Sequence, residues 1–352
     1  MIILGIETSC DETAASIIKI KKGEIQILAN TVASQIPIHK KYGGIVPEIA
    51  ARAHIKKIIP VIKETLAKSK ICFSKIDLIA ATKGPGLITS LLVGVETAKT
   101  LSFSQKIPLM GINHLKAHIR ANFIQSLDIV YPAISLVASG GHTELGILRK
   151  NSYKKLGQTR DDAAGECFDK IAKILRLGYP GGPEISDKAE KWDRQAKNIK
   201  KKFTTSLPRP MIKSKNLDFS FSGLKTAVLY KVQDNKKQLN NEKFIQFLSH
   251  EAQNAIVDVL TQKTITAAKK FHAKSILLSG GVAANNSLRE RLAKKSKELN
   301  IKFFVPDFKF CTDNATMIAV EAYHKYKKLS QKQKDNLNQN WLKLKVEPNL
   351  EL

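Results

Sequence analysis

Residues 2–33, IILGIETSCDETAASIIKIKKGEIQILANTVA, decide the fold class of this chain. The largely apolar run Ile2–Glu7 predicts a buried strand, and the polar stretch Thr8–Thr13 predicts a tight turn. Two further strands, Ala14–Ile20 and Ile25–Ala33, flank a Lys-Gly-Glu turn. The chain therefore opens with a three-stranded meander whose first turn carries polar and acidic side chains.

The same order of elements recurs in the second half of the chain. Ala133–Ala138 predicts the matching first strand, and Ser275–Ser279 predicts a later strand that ends at a Gly-Gly pair. A duplicated α/β unit, with two lobes around a nucleotide cleft, is the simplest account of this repetition. Ligands of open α/β sheets collect at the carboxyl ends of strands. Four special turns are predicted at such ends: Thr8–Asp11, Gly84–Gly86, Ser139–Thr143 and Gly280–Asn285.

Two of these turns contain paired glycines. Gly140-Gly141 and Gly280-Gly281 let the backbone approach a phosphate closely because no Cβ intervenes, and a following helix offers its N-terminal amides to an anion. One pair alone is weak support, since tight strand-to-helix turns need glycine for steric reasons. Two pairs at corresponding places in both halves favour nucleotide binding.

The charge balance points to a polyanionic partner. The 352 residues include 58 Lys and Arg against 31 Asp and Glu, a formal net charge of +27. Such an excess favours nucleic acid through phosphate contacts and counterion release. A/T-rich codon bias is the alternative explanation, because Lys far outnumbers Arg, but the acidic residues have not risen to match the lysines.

The cysteines and the N-terminus indicate the compartment. Cys10, Cys72, Cys167 and Cys311 are scattered without a CxxC pair, which is typical of a reducing environment. The first residues lack the basic lead of a signal peptide, and no apolar run approaches the length of a membrane span. We therefore expect a cytoplasmic protein.

A pair of histidines, His114 and His118, suggests a metal site. A spacing of four places both imidazoles on one face of a helix, about one turn apart, and Ile112–Phe123 is predicted to be that helix. Zinc proteases of the HExxH type carry a general-base Glu after the first His, where this chain has Leu115. From spacing alone, metal binding and an inert hydrogen-bonded pair remain equally open.

Nine blocks of sequence carry more information than their spacing. They are Gly5–Thr13, Tyr42–Glu48, Lys83–Leu87, Ser139–Thr143, Asp161–Glu166, Tyr179–Pro183, Asp218–Lys225, Gly280–Asn285 and Cys311–Asn314. Together, and in this order, they resemble the motifs of the TsaD family of tRNA N6-adenosine threonylcarbamoyltransferases, its bacterial branch most closely. The resemblance implies the actin/Hsp70/sugar-kinase-like (ASKHA) fold, which agrees with the duplicated unit.

The resemblance also implies an activity. The threonylcarbamoyl group would pass from threonylcarbamoyl-AMP, made by a separate synthase, to N6 of adenosine 37 in tRNAs that read codons beginning with A, and AMP would be released. The implied metal ligands are His114, His118 and Asp313, with Fe²⁺ the expected ion and Zn²⁺ the alternative.

The remaining site residues follow from the same resemblance. Asp11 and Glu12 match an acidic hairpin near the phosphates and are the candidate catalytic residues. The positions that match the binding site for the adenylate are Val137, Ala138, Ser139, Gly140, Gly141, Asp169, Gly182 and Asn285. Many members carry Asp where this chain has Ser186, so Ser186 is left outside the predicted site.

Partners and rival classes complete the functional expectation. The resemblance implies tRNA, a TsaB-like paralogue and a TsaE-like ATPase as partners, with a homodimer when the protein acts alone. The rivals are a stand-alone ATPase or kinase of the same fold, a metalloprotease, and a non-catalytic scaffold. The missing Glu after His114 weighs against a protease, and the intact ligand set weighs against a scaffold.

The domain plan places residues 1–131 in an N-terminal lobe and 132–313 in a C-terminal lobe. A helix over 314–328 is expected to pack back on the first lobe, and the polar residues 329–352 are expected to form a loosely held tail.

Within a helix over Val46–Lys68, Pro60 predicts a kink or a break. Asp161-Asp162 is expected to cap the helix that follows it.

Overall fold

The structure is a computed structural model that describes residues 1–124, 128–150, 152–196, 203 and 205–352. Within these residues the chain forms two compact units, one from residues 1–124 and 312–352 and the other from the described part of 128–311. Each unit contains one mixed five-stranded sheet with its own apolar core. Among the described residues, no helix combines the length and apolar character needed to cross a membrane.

The two sheets have the same topology. The first, in the spatial order β3-β2-β1-β4-β5, consists of β1 Ile2–Glu7, β2 Glu12–Lys21, β3 Glu24–Ser34, β4 Leu78–Gly84 and β5 Leu109–Asn113. The second, in the order β8-β7-β6-β9-β10, consists of β6 Ala133–Ala138, β7 Thr143–Leu148, β8 Tyr153–Gln158, β9 Ser275–Ser279 and β10 Lys302–Phe304. In both sheets the first three strands are antiparallel and the last two join in parallel. The predicted duplicated α/β fold is confirmed.

Helices follow the strands in both units. Those of the first unit are α1 Ile36–His39, α2 Pro47–Ser69, α3 Ile88–Gln105 and α4 His114–Ala121, and those of the second are α5 Ala164–Ile174, α6 Gly181–Ala196, α7 Ser222–Asp234, α8 Glu242–Lys270 and α9 Asn286–Glu298. The chain then returns to the first unit with α10 Ala315–Tyr326, α11 Gln331–Asn336 and α12 Asn340–Lys343. Short 3-10 helices cover Lys40–Tyr42, Phe73–Lys75, Lys236–Asn240, Gly281–Ala284, Phe308–Phe310 and Leu337–Gln339.

Helix α10 packs closely on the first sheet because β1 has a glycine beneath it. A Cβ at Gly5 would lie 2.3 Å from the carbonyl oxygen of Ala315, so only glycine admits the helix backbone at this distance. Asn314 accepts a hydrogen bond from the backbone N–H of Met317 and caps the helix. This packing fixes the position of Asp313 relative to the end of β1.

Two sequence-based expectations about helices are corrected. The helix expected over Ile112–Phe123 begins only at His114, because Ile112 and Asn113 end the strand β5. Helix α2 runs without interruption through Pro60, so the break is excluded there. The buried side chains of Ile58, Val61 and Ile62 pack on both sides of the proline and hold the helix together.

The expectation of a loosely held tail is wrong. Trp341 packs against Phe103 with ring centroids 4.6 Å apart, and Leu344 is buried in the core of the first unit. Further along, the backbone N–H of Glu347 donates to the carbonyl of Lys83 at 2.7 Å. Two apolar anchors and a backbone hydrogen bond thus outweigh the polar composition of this segment.

We expect the turn after β9 to tolerate only glycine at its first position. Gly280 has φ 88° and ψ 169°, a region that other residues avoid, and a Cβ there would lie 2.4 Å from the carbonyl oxygen of Ala138. Gly280→Ala should lower the free energy of unfolding by about 2–3 kcal/mol. Urea denaturation measures this change, with Gly281→Ala as control because a Cβ at Gly281 meets open space. Equal unfolding midpoints for the two variants would contradict the steric account.

Candidate metal centre

The start of α4 positions the two histidines. The side chain of Asn113 accepts a hydrogen bond from the backbone N–H of Lys116 at 2.9 Å, so the helix begins directly after β5. His114 and His118 then lie one turn apart, with ring centroids separated by 4.6 Å and ring planes at 84°. Both imidazoles are buried.

Asp313 completes the cluster. It lies at the start of the second segment of the first unit, just before α10. Its Oδ1 lies 3.1 Å from Nε2 of His118 and 3.4 Å from Nε2 of His114. One donor atom from each of the three side chains falls within 4.8 Å of the others. Residues almost 200 positions apart in sequence therefore form one candidate metal site, as the family resemblance implied.

A fourth side chain, Glu7 at the end of β1, orients the cluster. Its carboxylate is fully buried and lies 2.9 Å from Nδ1 of His114. The same carboxylate accepts hydrogen bonds from the hydroxyl of Thr82 at 2.7 Å and the backbone N–H of Ser9 at 2.5 Å. Because Nδ1 of His114 is engaged by Glu7, its Nε2 is directed toward Asp313.

Charge interactions inside the cluster are strong. Burial alone would lower the pKa of His114, but the carboxylates of Asp313 and Glu7 raise it well above its usual value. For Asp313 the directions are reversed. Burial alone would raise the pKa of its carboxyl group, but His114 and His118 hold that pKa far below its usual range. Burial, together with the charge of His114, lowers the pKa of His118. The carboxylates of Glu7 and Asp313 thus favour positive charge at this place.

These residues fit a divalent transition metal. Two imidazoles and one carboxylate are borderline ligands that suit Fe²⁺ or Zn²⁺ and leave coordination positions open. In addition, Nδ1 of His118 is buried and has no hydrogen-bond partner among the residues that the structure describes. The glutamate behind His114 supplies the carboxylate that metal-binding histidines commonly require.

The acidic turn between β1 and β2 adjoins this cluster. Burial and the nearby charges of Asp11 and Asp313 raise the pKa of Glu12 well above its usual value. Burial and the same two carboxylates also raise the pKa of the Cys10 thiol. The structure therefore brings Asp11 and Glu12 close to Asp313. Glu12 remains protonated to a higher pH than an exposed glutamate.

In the second unit, the turn after β6 exposes backbone rather than side chains. Val137 and Ala138 are completely buried in the strand, so the accessible part of this segment begins after them. The backbone N–H of Ser139 donates to the carbonyl of His142 at 2.8 Å and closes the turn. A Cβ at Gly140 or Gly141 would meet open space, so this part of the turn is accessible.

Asp169 positions the start of α6. Its Oδ1 accepts a hydrogen bond from the backbone N–H of Gly181 at 2.6 Å. The next residue, Gly182, has open space beside its Cα. The carboxylate of Asp169 therefore braces the glycine turn from which α6 begins.

Asn285 links α9 to two other helices. Its side-chain oxygen accepts from the backbone N–H of Leu288, and its amide nitrogen donates to Ser186 at 2.9 Å and to Gln253 at 2.8 Å. Ser186 in turn donates to Gln253 at 2.9 Å. Sequence reasoning left Ser186 out and did not consider Gln253. The resemblance did mark position 186 as one where many members carry a polar Asp.

The predicted adenylate residues form a continuous ring of contacts within the second unit. The backbone N–H of Gly165, in α5, donates to the carbonyl of Ser139 at 3.0 Å. Asp169 on the same helix braces α6, which carries Ser186 to Asn285. The turn at Gly280 then returns to Ala138, because these two backbones touch. All eight predicted residues thus belong to one neighbourhood.

The expectation that Asp161-Asp162 caps the following helix is wrong. Asp161 instead accepts hydrogen bonds from the hydroxyls of Ser220 and Ser222 and from the backbone N–H of Phe221, at the start of α7. Burial opposes ionisation of Asp161, but these bonds prevail and lower its pKa. Asp162 pairs with Lys170 at 2.6 Å.

Comparison with known proteins agrees with this arrangement. The family described as "TsaD: tRNA N6-adenosine threonylcarbamoyltransferase" matches residues 26–320. A protein of that name from Thermosipho africanus is 49% identical over 329 residues, which cover 93% of this chain and 95% of the relative. The Bacillus subtilis protein of the same name is 48% identical over 321 residues, covering 91% of this chain and 89% of the relative.

Two solved structures share only the fold. Component A of the (R)-2-hydroxyglutaryl-CoA dehydratase of Acidaminococcus fermentans has a TM-score of 0.53 at 16% identity and covers 93% of this chain and 100% of its own. Full-length HypF has a TM-score of 0.57 at 14% identity and covers 94% of this chain and 47% of its own. Fold and site together define an ASKHA-fold protein with a candidate metal centre. By the family match and the two relatives, the chain belongs to the TsaD family of tRNA N6-adenosine threonylcarbamoyltransferases, which are acyltransferases that act on tRNA.

We expect Glu7 to control metal affinity without touching the metal. Glu7→Gln should weaken binding of Fe²⁺ or Zn²⁺ about 10–100-fold, because an amide cannot accept hydrogen bonds on both of its polar atoms and His114 loses its orientation. Equilibrium dialysis followed by metal analysis measures the affinity. Glu48→Gln is the control, since Glu48 lies on the surface in an ion pair with Arg52. An unchanged metal affinity in a folded Glu7→Gln protein would contradict this role.

Proposed function

We propose that this enzyme transfers the threonylcarbamoyl group from threonylcarbamoyl-AMP to N6 of adenosine 37 in tRNAs that read codons beginning with A, and releases AMP. The observation that carries this proposal is the buried cluster of His114, His118 and Asp313 beside an acidic turn, in a member of a family of tRNA threonylcarbamoyltransferases. The new bond joins N6 to the carbamoyl carbon, and the bond from that carbon to the phosphate oxygen breaks. The amine loses one proton, which the departing AMP phosphate or solvent takes up.

Positioning and charge compensation are the main tasks of the residues. The adenine amine is a weak nucleophile, while the acyl phosphate is already activated, so holding the two in line accounts for much of the acceleration. A divalent metal held by His114, His118 and Asp313, Fe²⁺ with Zn²⁺ as the alternative, would supply a Lewis acid for the carbamoyl carbonyl or an anchor for the threonyl carboxylate.

The acidic turn has a specific part in this proposal. A protonated Glu12 can donate a hydrogen bond to a phosphate oxygen, whereas an ionised one would repel it. Asp11, beside it, helps to keep that proton in place through its negative charge. The pair is therefore proposed to meet the phosphate of the donor and to limit charge build-up as AMP leaves.

The second unit is proposed to bind the adenylate. The accessible backbone of Gly140 and Gly141, which follows the buried strand end at Val137 and Ala138, is proposed to meet the nucleotide. Asp169 supports the turn at Gly182, and Asn285 presents an amide that Ser186 and Gln253 hold in place. Because these polar contacts are made before any ligand arrives, the site is preorganised.

Partners are proposed on the basis of family and surface. A TsaB-like paralogue and a TsaE-like ATPase would complete the assembly, and a homodimer would form in their absence. Helices α2 and α3 each present apolar side chains one turn apart, Ile55 and Ile59 on α2 and Ile88 and Leu92 on α3. Exposed apolar residues grouped on adjoining helices suit a protein partner.

Transfer of radiolabelled threonine to unmodified tRNA tests the reaction, with a synthase that supplies the donor and with both partners present. We expect wild type to label adenosine 37, and His114→Ala/His118→Ala to lose about 100-fold or more of the rate, because a Lewis acid contributes several kcal/mol. His272→Asn, at an exposed histidine of the second unit, should retain activity. Full activity of the double variant without bound metal would refute the role of the metal. Absence of label with wild type would refute the reaction.

A second measurement tests the adenylate site. Ser186→Ala removes one of the two acceptors that hold the Asn285 amide, and should raise the Kd for AMP about fivefold, equivalent to one hydrogen bond. Asp187→Ala is the matched control, because the neighbouring Asp187 pairs with Lys191 at the surface. Titration calorimetry measures the Kd for AMP of each of the two variants. If Ser186→Ala binds AMP no more weakly than Asp187→Ala, the Asn285 network does not take part in binding.

A further inference from the structure

A pocket in the first unit lies outside the site described above. It has a volume of about 300 Å³ and is bounded by the ends of β4 and β5, by α4 and α10, and by the C-terminal segment at Leu350 and Glu351. Five cationic side chains line it: Lys83, Lys116, Arg120, Lys325 and Lys328. None of the residues that line the pocket is a glycine.

The positive charge in this pocket is only partly compensated. Glu321 pairs with Arg120 at 3.0 Å, and Glu347 pairs with Lys83 at 2.5 Å. Glu351 is the one further acid in the lining. Lys116 and Lys328 have no side-chain partner among the described residues.

The excess positive charge in the pocket affects the pKa of Lys325. Its ammonium group donates to the backbone carbonyl of Gly111 at 3.1 Å. Desolvation by the surrounding protein and the charges of Lys83 and Lys116 lower its pKa. Burial and nearby cations also lower the pKa of His324 to about 4, so this lining residue is neutral at pH 7. An anion in the pocket would relieve the repulsion among the lysines.

The pocket shares a helix with the metal cluster. Lys116 and Arg120 are two positions removed from His114 and His118, which places them on the opposite face of α4. An anion in the pocket would therefore lie about one helix diameter, ~10 Å, from the metal ligands. The metal cluster and the pocket therefore use different residues of α4.

We propose that this pocket receives a backbone phosphate of the tRNA, contacted by Lys116 and Lys328. Lysine side chains act as mobile point charges and suit backbone phosphates, which position RNA without reading its sequence. Sites for small phosphate ligands typically use a glycine-rich backbone cradle, and no glycine lines this pocket. The net charge of +27 favours the same polyanionic ligand.

Neutralising the two unpaired lysines tests the assignment in the full chain. Lys116→Gln/Lys328→Gln should weaken binding of unmodified tRNA about tenfold at low salt, because two contacts to phosphate are lost. The slope of log K against log salt should become shallower by about 1–2 units. Fluorescence anisotropy with labelled tRNA at several salt concentrations measures both quantities. Metal content and the unfolding midpoint establish that the variant is folded.

Lys56→Gln/Lys57→Gln is the matched control, because it removes the same charge from exposed positions on α2 of the same unit. Equal affinities and slopes for the two double variants would overturn the proposal. A pocket for a small anion would give another pattern, in which binding of inorganic pyrophosphate falls while tRNA affinity matches the control. That outcome also overturns the assignment to RNA.

The assignment rests on tRNA being the substrate, yet the two can fail separately. If wild type binds tRNA through Lys116 and Lys328 but transfers no label, the RNA-binding role of the pocket is supported and the proposed reaction is contradicted. If label is transferred, but substitution of Lys116 and Lys328 weakens tRNA binding no more than substitution of Lys56 and Lys57, the proposed reaction is supported. The RNA-binding role of the pocket is then contradicted.

Discussion

The buried carboxylate of Glu7 is the constraint on which the first unit depends. A carboxylate without solvent is costly unless hydrogen bonds satisfy it. Thr82 on β4, the backbone of Ser9 after β1 and the ring of His114 at the start of α4 meet this need. Because they come from three neighbouring strand ends, the carboxylate fixes the register at the edge of the sheet where the candidate metal centre lies.

The duplicated fold allowed its two halves to specialise. Strand β1 ends at Glu7 and leads into an acidic turn, whereas its counterpart β6 ends at Ala138 and leads into an open glycine turn. The first arrangement gathers carboxylates and imidazoles that suit a cation. The second presents backbone groups without side-chain charge, which suits a nucleotide phosphate. Identical strand orders thus support two different kinds of binding chemistry.

The sequence predicted those parts of the structure that depend on local pattern. Strands such as β1, β6 and β9 are short apolar runs between turn residues, and their repeated order indicated the duplication. The start of helix α6 could not be predicted from local pattern, because the helix begins within Gly181-Gly182-Pro183, whose composition is typical of a turn. The expected capping role of Asp161 failed for a different reason, since its partners lie about sixty residues further on. Glu7 and His114 are separated by 107 positions, so no local pattern could join them.

Placement of charge on α4 connects the candidate metal cluster with the cationic pocket that is proposed to receive RNA. One face of this helix meets the carboxylates of Glu7 and Asp313, while the other contributes Lys116 and Arg120 to a cationic pocket. Carboxylates repel the phosphates of an approaching polyanion, and in a partly desolvated site this repulsion is strong. A cation at the cluster would offset the negative side, and the lysines attract the strand to the positive side. In the proposed reaction, α4 would thus carry candidate metal ligands on one face and phosphate-binding side chains on the other.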